Sequence, residues 1–196
     1  MRLVIAFDFD GTLLDSRMRH IVVMSDVLAR NNLKLDVSEL VEYKRTGKSN
    51  VNFLLSQGIK PEVAIDIQNQ WINDIENIKY LSLDRLYEDA IDLLEQHFSK
   101  NELILITARS NKSGLLYQLN KFNLQKYFRD VYIVNPGKTA SIEKSKILSD
   151  NNVSLMYGDT NSDYMAAQIA KVKFVIRENG FHNKETILGT YSDIKA

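Results

Sequence analysis

The sequence predicts an α/β fold in which a doubly wound parallel sheet forms the core and a small all-helical cap is inserted after the first strand. Short apolar runs without strict alternation recur along the chain, as expected of strands that are buried on both faces. Helical patterns separate these runs, which is typical of βαβ units. A third observation is that one long segment, from about residue 17 to residue 81, contains helical patterns and no convincing strand.

Five apolar runs define the predicted strands. They cover residues 3–7, 103–106, 131–134, 154–157 and, more weakly, 173–176. Between them, helical periodicity predicts helices over residues 86–98, 112–122 and 141–148. After residue 180 we expect a short helix and an irregular end.

The segment after the first strand predicts four helices. They cover residues 17–31, 37–43, 50–57 and 61–78. Pro61 and Glu62 suit the first turn of the last one, because proline fits the first helical position and an acid complements the helix dipole there. We therefore divide the chain into a core of residues 1–15 and 83–196 and a cap of residues 16–82.

The composition limits the classes of function. The chain has 196 residues, of which 44% are hydrophobic, and its 25 basic residues balance its 25 acidic residues. No overall positive field would hold nucleic acid, and no basic run suggests a membrane surface. The absence of cysteine excludes disulfides, thiolate metal sites and cysteine nucleophiles. No apolar stretch approaches the length of a signal-peptide core or a membrane span, so we expect a cytoplasmic protein.

The first strand ends in two acidic residues, Asp8 and Asp10, followed by Gly11 and Thr12. Residues two apart on a strand share a face, so both carboxylates can reach one site. Ligands of parallel α/β sheets bind beyond the carboxyl ends of the strands. Two carboxylates there would repel each other unless a hard cation lay between them, and Mg²⁺ suits oxygen ligands. The alternative interpretation of this motif, taken alone, is a turn with a helix N-cap.

Two further strands deliver polar residues to the same edge. The strand at 103–106 is followed by Thr107, Ala108 and Arg109, and the strand at 154–157 is followed by Asp159 and Asp163. Each motif alone is compatible with a strand-ending turn or a helix cap. Together, in this order and each at a strand end, they indicate one site.

These motifs resemble the four motifs of the haloacid dehalogenase superfamily. The matching segments are DFDGTLLD at 8–15, Thr107, a downstream lysine and GDTNSD at 158–163. The helical insert is similar to the C1 cap of the phosphoglycolate phosphatase and β-phosphoglucomutase branch. The resemblance implies a magnesium-dependent enzyme that cleaves phosphoesters, with a small phosphorylated metabolite as its substrate.

The resemblance also implies roles for individual residues. Asp8 attacks phosphorus, and Asp10 protonates the leaving oxygen and then deprotonates the attacking water. Side chains of Asp8 and Asp159 and the backbone carbonyl of Asp10 bind Mg²⁺, while Asp163 orients the metal shell. The phosphoryl oxygens are bound by Thr107, the Ala108 amide and the amides of the turn at Phe9 and Asp10.

Two lysines are candidates for the phosphate-binding lysine. Lys138 follows the third strand of the core, whereas Lys144 lies 15 residues before Asp159. The segment from this lysine to the last motif also resembles class B acid phosphatases, which have a lysine at that spacing. We favour Lys144, which would open a helix and direct its ammonium toward the phosphate.

A basic segment of the predicted cap, YKRTGKSN at 43–50, resembles the specificity loop of this cap class. We expect Arg45 and Lys48 to bind a second anionic group of the substrate. The alternative is a solvated basic helix end. The Gly-Lys-Ser within it is not a P-loop, because residue 42 is Glu42 and no strand precedes it.

The predicted function is therefore hydrolysis of a small phosphomonoester. A phosphomutase of the β-phosphoglucomutase type is an alternative, since it would use the same intermediate and return the phosphoryl group to a second hydroxyl. A catalytically weak phosphate-binding regulatory module is the other alternative. The sequence indicates neither the substrate nor the oligomeric state.

Overall fold

The computed structural model describes residues 2–189 of the chain. A five-stranded parallel sheet with the strand order β5-β4-β1-β6-β7 forms the core. Its strands are β1 Val4–Phe7, β4 Glu102–Ala108, β5 Phe128–Val134, β6 Val153–Gly158 and β7 Lys173–Ile176. The predicted α/β fold with a doubly wound parallel sheet is confirmed.

Both faces of the sheet are covered by helices, which explains why consecutive residues of its central strands are apolar, as in Val4–Phe7 of β1 and at residues 103–106 of β4. Successive residues of β4 alternate between two hydrophobic clusters, so that Leu103 and Leu105 pack on one face and Ile104 and Ile106 on the other. The core helices are α6 Ala90–Phe98, α7 Lys112–Lys121, α8 Ala140–Asp150, α9 Asn161–Ala170 and α10 Lys184–Leu188.

The segment between residues 17 and 81 is helical and has a hydrophobic cluster of its own. Its helices are α1 Arg17–Arg30, α2 Leu40–Arg45, α3 Asn50–Ser56, α4 Pro61–Asp74 and α5 Ile78–Leu81. Val23, Phe53, Ile67 and Trp71 are among the buried members of this cluster. We refer to these five helices as the cap; its division from the core at residues 15/16 and 82/83 stays a prediction.

A small antiparallel ribbon connects the cap to the core, and the sequence did not predict it. Its strands are β2 Leu14–Asp15 and β3 Arg85–Leu86. Leu14 pairs with Leu86, and the Tyr87 amide donates to the Leu13 carbonyl over 3.0 Å. The predicted helix over 86–98 is therefore wrong at its start, because Leu86 is held in the ribbon and the helix begins at Ala90.

The predicted helix over 61–78 is also divided. The α4 helix ends at Asp74, and the chain turns before α5 begins at Ile78. The Asn77 side chain caps α5 by accepting from the Lys79 amide over 3.0 Å, which stabilises a new helix start. None of the helices within residues 2–189 has both the length and the apolar character needed to cross a bilayer.

Candidate active site

The carboxyl ends of β1, β4 and β6 lie side by side at one edge of the sheet. Phe7 of β1 pairs with Leu105 of β4 and with Tyr157 of β6. The Asp8 amide continues the ladder by donating to the Tyr157 carbonyl over 2.9 Å. Residues that follow these three strands are therefore brought together by the parallel register.

A cluster of three buried carboxylates occupies this edge. One oxygen from each of Asp8, Asp159 and Asp163 lies within 4.8 Å of the others. Asp8 directly follows β1, Asp159 follows β6, and Asp163 lies in the first turn of α9. The structure thus brings together in one cluster three of the four acidic side chains that the sequence predicted at one site.

Lys144 joins two of these carboxylates. Its ammonium Nζ lies 2.7 Å from Asp8 Oδ1 and 2.6 Å from Asp163 Oδ1, and the side chain is buried. Burial lowers the pKa of Lys144, but the attraction of Asp163 and Asp8 outweighs it and raises the pKa above its ordinary value. The lysine is therefore a charged group held between two acids.

One ammonium does not compensate the whole cluster. Burial is the main cause that raises the pKa of Asp8; Lys144 lowers it and the negative charge of Asp163 raises it, and the net result is a pKa of about 7. Burial, together with repulsion from Asp8 and Asp163, also raises the pKa of Asp159 well above its ordinary value. Such a group of desolvated oxygen ligands fits a hard divalent cation such as Mg²⁺.

Two hydrogen bonds and the close approach of a glycine hold Asp159 in place. Its carboxylate accepts hydrogen bonds from Thr12 Oγ1 over 3.1 Å and from the Phe181 amide over 2.7 Å. A Cβ atom at Gly11 would lie 2.0 Å from Asp159 Oδ2, and Gly11 has a φ of +81°. Glycine is therefore required at position 11 both for its conformation and for the space that it leaves.

Asp163 is fixed by a helix cap. Its Oδ2 accepts from the Thr160 amide over 3.1 Å and from the Thr160 hydroxyl over 2.6 Å, and the Asp163 amide donates back to that hydroxyl oxygen. This capping box at the start of α9 leaves Oδ1 for Lys144. The cap therefore orients an acid that in turn orients the lysine.

Asp10 lies beside the carboxylate cluster but pairs with arginines. Arg109 binds it with two hydrogen bonds of 2.7 Å, and Arg19 of helix α1 donates to Asp10 Oδ1. Burial raises the pKa of Asp10, but Arg109 and Arg19 outweigh burial and hold the pKa well below its ordinary value. In this arrangement Asp10 is ionised.

Sequence reasoning missed Arg19. Its guanidinium also lies 3.2 Å from the buried Asp84, which accepts from Gln118 over 2.6 Å. The available signal was a charge on an apolar helix stripe, because Arg19 shares the buried face of α1 with Val23 and Val27. Arg109, which the sequence placed at the strand end without a defined role, is buried and paired as well.

The predicted phosphate-binding residues of the core divide into two groups. Thr107 and Ala108, at the end of β4, line a cavity at this edge together with Lys144. The side chain of Phe9 is buried in the core, so only its backbone is available to the site. Lys138 is exposed in the segment between β5 and α8, and the cavity is lined there by Gly137 and Ala140 instead.

The predicted cap residues Arg45 and Lys48 are not among the residues that line the cavity. Arg45 donates to the backbone carbonyls of Gly180 and Glu178 over 2.7 and 3.1 Å. Lys48 is exposed, and its ammonium lies 4.9 Å from the centre of the Tyr43 ring. This differs from the predicted contact with a second anionic group, because Arg45 instead ties the cap to the loop after β7.

The cavity has a volume of about 720 Å³ and lies between core and cap. Its core side contains Asp8, Asp10, Thr107 and Lys144. Its cap side is contributed by α1, α4 and the turn that follows α4. The lining residues there are Arg19, His20, Gln68, Trp71, Ile72, Ile75 and Glu76. A ligand bound here would contact the buried charges at one end and the cap at the other.

Solved structures share this fold. A haloacid dehalogenase-like hydrolase from Streptococcus pneumoniae superposes with a TM-score of 0.76 at 18% identity, covering 98% of this chain and 92% of that one. A Clostridium difficile protein, provisionally described as a phosphatase, gives 0.78 at 19% identity, with 97% and 91% covered. A predicted phosphoglycolate phosphatase from Haemophilus somnus gives 0.73 at 19%, with 97% and 91% covered.

A search of curated proteins gave no match. The sequence model of the haloacid dehalogenase-like hydrolase family, in contrast, matches residues 5–176 of this chain. This match spans the strand ends that carry Asp8, Thr107 and Asp159, as well as the helices of the cap. The chain belongs to the haloacid dehalogenase-like hydrolase family.

Proposed function

We propose that this hydrolase is a magnesium-dependent phosphatase that cleaves a small phosphomonoester through an aspartyl-phosphate on Asp8. The observation that carries the proposal is the position of Lys144, whose ammonium contacts both Asp8 and Asp163 within a cluster that also contains Asp159. A nucleophilic carboxylate, a cation beside it and further acids for a metal are the groups that phosphoryl transfer requires.

The metal ligands in this proposal are the carboxylates of Asp8 and Asp159 and the backbone carbonyl of Asp10, with Asp163 orienting them. The donor set fits, because the cluster consists of desolvated oxygen ligands whose mutual repulsion a divalent cation relieves. When bound, Mg²⁺ would neutralise charge on the phosphoryl oxygens and reduce their repulsion of Asp8.

The chemical steps follow from the positions of Asp8 and Asp10. An oxygen of Asp8 forms a bond to phosphorus as the bond to the leaving oxygen breaks, and Asp10 gives its proton to that oxygen. Asp10 then takes a proton from a water molecule whose oxygen attacks phosphorus. The bond between phosphorus and Asp8 breaks, which releases phosphate and restores both side chains.

Asp10 needs a proton for the first of these steps, yet two arginines hold it ionised. A phosphate dianion bound beside Lys144 brings negative charge close to Arg109 and Arg19. That charge competes with Asp10 for the guanidinium groups and raises the pKa of Asp10 toward values at which it holds a proton. Substrate binding itself would thus prepare the general acid.

Phosphate release from a panel of phosphomonoesters tests the proposal. We expect turnover of p-nitrophenyl phosphate and of at least one metabolite ester when Mg²⁺ is present, and loss of turnover with a chelator. Free phosphate as the product distinguishes a phosphatase from a phosphomutase, which would return an isomerised ester. No turnover of any ester would contradict the proposal and favour a regulatory module.

The lack of cysteine suits the cytoplasm, which we retain as the proposed location.

Without a divalent cation, the contribution of Asp8 to stability is expected to fall as the pH rises from about 4 to about 7, and that of Asp159 to fall in the same direction. Burial raises the pKa of Asp8 from 3.8 to about 7 in the folded state, and Asp159 is shifted in the same direction. At these two carboxyl groups the folded state therefore binds more protons than the unfolded chain, so their deprotonation favours unfolding. Thermal melting at several pH values, compared between the unaltered protein and a variant that lacks one of these charges, measures this trend.

Asp159→Asn provides the matched comparison. Removing one buried charge from the cluster should raise the melting temperature of the metal-free protein at pH 8 by about 2–4 °C, corresponding to about 1 kcal/mol. Added Mg²⁺ should stabilise the unaltered protein and not the variant. The three histidines, whose pKa values are lowered, contribute equally to both proteins. A stabilising effect of Asp159→Asn that does not grow between pH 5 and pH 8 would therefore contradict the assignment of carboxylates with raised pKa values.

A further inference from the structure

His20 of helix α1 lies on the cap side of the cavity, and its ring is held by two aromatic neighbours. The centre of its ring is 5.1 Å from that of Trp71 on α4 and 4.5 Å from that of Phe181 in the loop after β7. Both neighbours also line the cavity. The imidazole is therefore fixed where cap and core meet, beside the space that a substrate would occupy.

Lys44 of helix α2 lies behind this ring. Its ammonium Nζ is 2.8 Å from Nδ1 of His20, and it lies 4.8 Å from the centre of the Trp71 ring and 5.7 Å from that of the Phe181 ring. Lys44 itself is not among the residues that line the cavity. An ammonium group only donates hydrogen bonds, so Nδ1 accepts here and the proton of a neutral imidazole is on Nε2.

Lys44 is a half-buried cation without a carboxylate partner. Within residues 2–189 no acidic side chain forms an ion pair with it, and burial together with Arg19 lowers its pKa to about 7. The cations that line the cavity, Arg19, Arg109 and Lys144, are in contrast each paired with a carboxylate. Burial and the positive charges of Lys44 and both arginines lower the pKa of His20, which is therefore neutral near pH 7. The surroundings of this imidazole are thus positively charged.

The second ring nitrogen of His20 is accessible to a ligand. Nε2 has no hydrogen-bond partner within residues 2–189, and it is not among the unpartnered polar atoms that are completely buried. Asp10 and Glu76, which also line the cavity, have partners of their own. Asp10 binds two arginines, and Glu76 accepts from the amides of Ser110 and Asn111 over 3.0 and 2.6 Å. The Nε2–H of His20, with a cation behind it, is therefore a donor suited to an anion.

From this geometry we infer that His20, supported by Lys44, binds a second anionic group, so that the substrate carries a carboxylate or a further phosphate on its leaving group. The cavity volume of about 720 Å³ lies within the range of about 300–1,000 Å³ that is usual for small-molecule sites. Lys44 acts here as a positioning residue, because it fixes the tautomer of His20 and supplies the charge behind it. A bound anion would in turn favour the charged form of Lys44. This inference rests on the proposed phosphatase activity.

A series of matched esters tests the inference with Mg²⁺-loaded enzyme. Phosphate monoesters of ω-hydroxycarboxylic acids with two to six carbons are compared with α,ω-diol monophosphates of equal length and with the diol bisphosphates. At one length or more, we expect kcat/KM to be about 10-fold or more higher for a charged leaving group than for the uncharged one, because hydrogen bonds to charged groups are the strong ones. The preferred class identifies the anion as a carboxylate or a phosphate.

Lys44→Met keeps the length of the side chain and removes its charge. It should raise KM for the preferred charged ester about 10-fold and change kcat/KM for the diol monophosphate by less than about two-fold. His20→Phe, which keeps a ring between Trp71 and Phe181, should lose the same preference, and it decides the question if Lys44→Met does not fold. The control is Lys34→Met, an exposed cap position between α1 and α2, which should keep the preference.

Two results would contradict the inference in different ways. Hydrolysis of p-nitrophenyl phosphate without a preference for either charged class, or with a preference that survives in folded Lys44→Met or His20→Phe, would overturn this inference alone. No hydrolysis of any ester, including p-nitrophenyl phosphate, would overturn the proposed function and this inference together.

Discussion

Replacing Asp8 with asparagine is expected to lower kcat by about 10⁴- to 10⁶-fold, as loss of a covalent nucleophile does in other hydrolases. The amide has nearly the same volume as the carboxylate but cannot attack phosphorus. Since Asp8 is buried with a raised pKa beside Asp163, removal of its charge should not lower the free energy of unfolding. Steady-state phosphate release and thermal melting measure the two effects.

The control for this variant is Asp150→Asn at the exposed end of α8. It makes the same chemical change away from the cavity and should leave turnover and melting temperature close to those of the unaltered protein. An Asp8→Asn protein that folds and retains more than about one-hundredth of the turnover would show that Asp8 is not the nucleophile.

Lys144→Met is expected to impair both stability and catalysis. The substitution leaves two buried carboxylates without the ammonium that lies 2.7 and 2.6 Å from them. Removal of one partner from a buried ion pair costs about 3–5 kcal/mol. Turnover should fall about 10²- to 10³-fold at saturating substrate, because the proposed mechanism places this cation at the transferred phosphoryl group. Denaturant titration and phosphate release measure the two losses.

Lys138→Met tests which of the two candidate lysines binds phosphate, a choice that the sequence left open. Lys138 is exposed and is not among the residues that line the cavity, so its replacement should change the free energy of unfolding by less than about 0.5 kcal/mol. Its turnover should stay near that of the unaltered protein. A larger loss of turnover in Lys138→Met than in Lys144→Met would reverse the assignment.

The parallel sheet was predictable because its strands are short apolar runs at positions where both faces are buried. Ile5, Phe7, Ile104 and Leu105 illustrate this pattern. The ribbon of β2 and β3 was not predictable, because it has two residues per strand and depends on pairing between Leu14 and Leu86, which are distant in sequence. The break between α4 and α5 depends on the local cap at Asn77.

The acidic residues of the site were predictable because each directly follows a strand or begins a helix, so the topology alone brings them together. Arg19 and Asp84 were not, since their pairing depends on how the cap packs against the core. The same dependence on tertiary packing explains why Arg45 and Lys48 lie elsewhere than the sequence predicted. Sequence shows that the cap segment is basic, but tertiary contacts determine that Arg45 binds backbone carbonyls of the core.

The most direct test of the account is to trap the phosphorylated enzyme. Protein with Mg²⁺ and p-nitrophenyl phosphate would be quenched in acid during turnover, digested and analysed by mass spectrometry. The account predicts one phosphoryl group on the peptide that contains Asp8, and none in Asp8→Asn. Turnover accompanied by a phosphoryl group on another residue, or by none in a quench fast enough to capture a single turnover, would contradict it.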